Sequence, residues 1–116
     1  MNDGPVNEAD IEWTEYDHGK RNFRRKQLAD AAGGEELGAS LDDVPPGKRL
    51  WLRHYHEGNE ESIFVLDGDG TLWLGPESRE HDLSEGDYVA LPAGAESAHE
   101  IEAGDGGLRL LMQSTI

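Results

Sequence analysis

Two imidazoles and a carboxylate fall within eight residues, His54, His56 and Glu61, in the stretch HYHEGNEESIFVLDG at 54–68. In a β-strand, residues i and i+2 project from the same face, so both rings can point at one spot, whereas a helix splays them. Gly58-Asn59 is a favoured two-residue hairpin turn, because both residue types tolerate positive φ. With the turn there, Glu57 pairs with Glu60 and His56 with Glu61, which sets the Glu61 carboxylate beside the second ring. By parity Leu50, Leu52, Ile63 and Val65 share that face. A carboxylate and two imidazoles on an apolar face are unfavourable unless something positive compensates them. The set suits a divalent transition metal, Fe, Mn, Ni, Co or Zn, and lacks one ligand of a four-ligand protein site. The bland alternative is a solvated HxH pair on an exposed strand.

The elements needed to hold such a set are strands. Residues 49–55, RLWLRHY, deliver the histidines, with Trp51, Arg53 and Tyr55 on the opposite face, covered by the N-terminal strands or by a second subunit. Aromatic residues and arginine are enriched at interfaces, so a homodimer is expected. Residues 62–66 return, and Asp67-Gly68-Asp69-Gly70 reads as a further turn. It is not a calcium loop, because Ser78 stands at the twelfth position counted from Asp67, where an EF-hand needs glutamate. A hairpin is expected across GPES between 71–74 and 79–83, with His81 at the surface, and further strands at 35–44, 88–91, 98–101 and 108–114. Many short strands with little room for helix indicate an all-β sandwich or barrel. The basic run KRNFRRK at 20–26 reads as a strand edge whose cations discourage edge pairing, in preference to an anion-binding contact.

The spacing His54-x-His56, four residues, Glu61, six residues, Gly68 resembles the first motif of the cupin superfamily, with Gly47 close to its leading glycine. GDYVALPAG, 86–94, resembles the second motif, G-x5-P-x-G, and 17 residues separate Gly68 from Gly86. The resemblance implies a single-domain jelly-roll β-barrel with a metal held by His54, His56, Glu61 and a histidine from the second motif. Ser97 stands where that histidine is expected and His99 two places later, in the PAGxxxAH pattern of some small cupins. A shift of two along a strand keeps the side, so His99 is taken as the fourth ligand, with the choice between Ser97 and His99 left open. Four protein ligands leave an octahedral site two positions for water, O₂ or a chelating substrate. The resemblance therefore implies a metal-dependent enzyme acting on a small polar molecule as oxygenase, isomerase or lyase. The alternative is a non-catalytic barrel that binds a metal or small ligand as a sensor or carrier. No catalytic acid or base stands out, Tyr88, Glu60 and Ser97 each having a simpler explanation.

The 116 residues suffice for one core. Residues 1–18 read as a loosely ordered acidic leader, pinned by Trp13 and Tyr16, and 19–116 as the barrel domain. There is no cysteine, which excludes disulfides and thiolate ligands. Without an apolar leader or a span long enough for a bilayer, the expected location is the cytoplasm, away from membranes. Twenty-five acidic against ten basic residues give a net charge of −15, which argues against a nucleic-acid partner. That surplus reads as adaptation to a salty cytoplasm, where screening relieves self-repulsion among carboxylates.

Overall fold

The computed structural model describes residues 4–50 and 58–115. Among these residues seven strands follow in order: β1 (Thr14–His18), β2 (Arg21–Gln27), β3 (Leu37–Val44), β4 (Glu61–Leu74), β5 (Arg79–Ser84), β6 (Tyr88–Leu91) and β7 (His99–Thr115). One short helix, α1 (Leu28–Ala31), and two single turns of 3-10 helix, Glu8–Asp10 and Ala95–Ser97, complete the set. The strands pair antiparallel in the order β1-β2-β3-β7-β4-β5, with β6 also on β4.

The frame of the molecule is the long β4–β7 ribbon. Its first half joins residues 61–68 of β4 to residues 108–114 of β7, and its second joins 70–74 to 99–103. β3 and β6 extend the first half, β5 the second, and Arg49 and Leu50 bridge to the start of β7. Two register shifts separate the halves, between Val65 and Asp67 and between Gly68 and Gly70. The architecture is an all-β jelly-roll barrel built around this ribbon.

Asp67-Gly68-Asp69-Gly70 is therefore not a chain-reversing turn, and 98–101 and 108–114 are not separate strands. The glycine-rich stretches 67–70 and 104–107 are bulges inside the continuous strands β4 and β7. Gly68 sits at φ +88° facing Gly107, and a Cβ there would run into the Gly107 carbonyl oxygen. The same composition serves a turn or a bulge, and the close approach of two backbones selects the bulge.

Alternation sorts the rest. Phe23, Val44, Ile63, Val65, Leu72, Leu83, Leu91, Ile101, Leu108 and Leu110 form one buried core together with Leu50. Residues 14–18, assigned above to the leader, form β1 on the flank of β2, where Tyr16 stacks on Phe23 with ring centroids 4.6 Å apart. The 20–26 run is not an edge: β2 lies between β1 and β3. Lys20, Arg24, Arg25 and Lys26 of the run each meet a carboxylate within the molecule. Arg24 and Arg109 share Asp43, and Lys26 grips Glu8 through both its carbonyl and its carboxylate. The Trp13 ring lies against Arg24 and Lys26, with cation-to-centroid distances of 4.1 and 4.5 Å. The N-terminal segment thereby straps the outer face of the sheet.

Candidate metal centre

Glu61 opens β4, opposite Leu91 of β6 and Ser114 of β7. Ile63 and Val65 are wholly buried while Phe64 between them is exposed, so parity puts Glu61 on the core face. His99 opens β7 at the far end of the ribbon, opposite Leu74. It is 2% exposed and shares its face with Ile101 and Ala103, both members of the core. The carboxylate and the imidazole thus belong to the two halves of one bent ribbon, each on the inner side.

Ser97 and His99 have different surroundings. Ser97 ends the 3-10 turn Ala95–Ser97, ahead of the strand, and its carbonyl lies 2.8 Å from His99 Nδ1. A carbonyl oxygen only accepts, so Nδ1 carries a hydrogen and donates it, and a neutral ring in that state has its lone pair on Nε2. This is how ligating histidines are commonly set, the second nitrogen being tied to a backbone carbonyl. Together with the Glu61 carboxylate, this gives borderline nitrogen and hard oxygen donors that fit a first-row divalent ion. His54 and His56 lie outside the described residues, as does their pairing with Glu61 and the opposite-face assignment of Trp51, Arg53 and Tyr55. Among the described residues no group of three His, Asp or Glu side chains gathers as a metal cluster.

A second polar feature lies deeper on the same inner surface. Arg25 of β2 faces Asp42 of β3 in register, and its Nε and Nη2 donate to the two carboxylate oxygens at 2.7 and 2.9 Å. Asp42 is completely buried. Arg25 and Glu61 line one cleft of about 190 Å³ with Ser40 and Met112. Burial pulls the Arg25 pKa down, but the Asp42 hydrogen bonds and the charges of Asp42, Tyr16 and Glu61 outweigh it, leaving the guanidinium above its ordinary range. Sequence reasoning missed this pair. The available signal was the alternation Ser40, Asp42, Val44, which places a charged residue on the core face of a strand.

The profile of the cupin domain matches residues 40–113. The chain is a cupin. Its backbone superposes with a TM-score of 0.81 on a protein of Acidithiobacillus ferrooxidans provisionally named a sugar phosphate isomerase, at 30% identity, covering 93% of this chain and 70% of that one. A sugar phosphate isomerase of the cupin superfamily from Silicibacter pomeroyi superposes with a TM-score of 0.85 at 27% identity, covering 97% and 76% respectively. Quercetin 2,3-dioxygenase of Bacillus subtilis is 30% identical over 59 residues, which are 51% of this cupin and 17% of the dioxygenase. The matched domain takes in Glu61, Ser97 and His99 and also the histidines outside the described residues. Tyr88 and Ala90 lie on the outer face of β6, since Leu91 faces the core, and Tyr88 is well exposed. Glu60 is exposed as well. Among the described residues no helix of this cupin is long and apolar enough to cross a membrane.

Proposed function

We propose that this cupin is a metal-dependent enzyme acting on a small polar molecule, with His54, His56, Glu61 and His99 as ligands of one divalent Fe, Mn, Ni, Co or Zn ion. The observation that carries the reading is His99, buried on the core face with Nδ1 committed to the Ser97 carbonyl, so that Nε2 is the donor nitrogen. When bound, such an ion polarises a carbonyl or enolate, or activates O₂. The chain's own part is to orient His99 through Ser97, to supply the Glu61 charge, and to keep water out with Ile63, Val65 and Leu110, all wholly buried. A cleft of about 900 Å³, lined among others by Glu60, Glu61, Ser62, Tyr88 and Ser114, gives a small molecule access to the Glu61 end of the barrel. The names of the relatives leave isomerase and dioxygenase chemistry as the reaction classes to screen, with and without O₂.

A non-catalytic ligand-binding barrel is the second reading. It is favoured by the placement of the candidate acids and bases: Tyr88 and Glu60 are exposed, and Ser97 ends a 3-10 turn ahead of β7 with its carbonyl engaged by His99. Elemental analysis of untagged protein, with His99→Ala and Ser97→Ala variants, tests the metal assignment. About one equivalent of metal is expected in the wild type and in Ser97→Ala, which keeps its carbonyl, and none in His99→Ala. Protein that stays metal-free after reconstitution removes the metalloenzyme reading and leaves the ligand-binding barrel.

A further inference from the structure

A buried ion pair is poorly explained by stability. Replacing such a pair by apolar residues of similar volume is often neutral or favourable, whereas removing one partner is strongly unfavourable. Arg25 and Asp42 form such a pair, and their position suggests what it is for. Both project inward from adjacent strands in register. Arg25 Nη2 passes 3.8 Å from Met112 Sδ, and Met112 is the inward neighbour of Ser114, which stands opposite Glu61. Arg25, Met112 and Glu61 border one cleft. Arginine offers a rigid planar fork of donors matched to carboxylates, so one guanidinium can be fixed by one carboxylate and fix another.

We propose that Arg25, clamped by Asp42, is a positioning residue for Glu61: it holds the Glu61 carboxylate in the orientation in which that residue binds metal. The inference rests on the metal-centre reading above. The charges are arranged for this task. A lone guanidinium beside a dication would repel it, and Asp42 cancels that charge, leaving the net −1 of Glu61 for the ion. Outer-shell partners of ligating carboxylates act in this way in metal sites generally.

The test is Co²⁺ binding to the full chain after removal of metal by chelation, followed by titration calorimetry and by the visible spectrum of the bound ion, which reports ligand geometry. Two variants keep the net charge of the cleft unchanged. Arg25→Lys retains the cation and removes the fork, and Arg25→Met with Asp42→Leu removes both charges together. Each is expected to weaken Co²⁺ binding by about 10- to 100-fold and to shift the visible bands. The metal-free melting temperature of Arg25→Lys checks that the fold survives, and this variant decides the matter if the double variant does not fold. Glu61→Gln is expected to lose stoichiometric binding. Wild-type affinity and spectrum in the charge-preserving variants, alongside loss in Glu61→Gln, overturn the positioning role alone. Wild-type protein that takes up no Co²⁺ overturns the metal centre and the positioning role with it, and a Glu61→Gln variant that binds normally overturns Glu61 as a ligand and so the positioning role.

Discussion

Replacing Gly68 by alanine tests whether the bend of the β4–β7 ribbon depends on the close approach of two backbones. Gly68 has φ +88°, and the added methyl would meet the Gly107 carbonyl oxygen. The conformational part of the cost is about 1–2 kcal/mol, that of an L-residue held in the left-handed region. The steric part adds about 1–3 kcal/mol, because the obstacle is main chain in a paired strand and cannot swing aside as a side chain would. The total is roughly 2–5 kcal/mol. An unfolding entropy of about 2.1 cal/mol/K per residue corresponds to roughly 0.24 kcal/mol per kelvin for 116 residues, so the melting temperature should fall by about 8–20 °C. Gly47 and Gly86 are internal controls: they also have positive φ, +73° and +94°, but an added Cβ meets nothing within 4 Å. Their alanine variants should show the conformational part only, about 4–8 °C. Thermal melts and urea titrations of the three proteins decide it. Equal losses at all three positions would refute the contact argument.

Acid sensitivity should trace in part to Asp43. Burial raises its pKa, but the hydrogen bonds from Arg109 and Arg24 outweigh burial and hold the carboxyl below its ordinary value. A folded pKa depressed in this way adds stability above the unfolded value of about 3.8, and the addition is lost as the pH falls through the folded value. Asp43→Asn should therefore be less stable than wild type at pH 7, with the gap closing below about pH 4 in urea titrations. The surplus of carboxylates gives a salt prediction: the melting temperature should rise from dilute buffer to molar KCl as repulsion is screened, and a flat or falling profile would count against salt adaptation.

The legible parts of the sequence were those where one local rule acts alone. β6 was expected at 88–91 and is found at Tyr88–Leu91, and the hairpin across GPES pairs Leu74 with Arg79. Parity placed Leu50, Ile63 and Val65 on the core face, where they lie. The rules failed where distant segments decide. Glycine-rich stretches at 67–70 and 104–107 look like turns until each is seen opposite the other across the ribbon. The basic run looked like a guarded edge because its carboxylate partners, Asp42 and Asp43, lie on β3 beyond the helix α1, and Glu8 precedes β1.

Those pairings also explain how a chain with so few cations distributes its charge. Lys20, Arg24, Arg25, Lys26, Arg49 and Arg109 are each in an ion pair with a carboxylate of the same molecule. Apart from the buried Arg25–Asp42 pair, ion pairs at the surface contribute little stability individually, so their number alone is a weak argument for a stable fold. Their placement matters more. Arg24, Lys26 and Arg109 gather around Trp13 on the outer face, while Arg25, on the same strand, turns inward to Asp42 and the Glu61 cleft. Strand parity alone separates a fastening role on one side of β2 from a positioning role on the other. A one-residue slip of β2 would exchange the two faces, taking the guanidinium out of the barrel and setting Arg24 and Lys26 against the core. The Tyr16–Phe23 stack and the Arg25–Asp42 fork oppose that slip from the two neighbouring strands, β1 and β3.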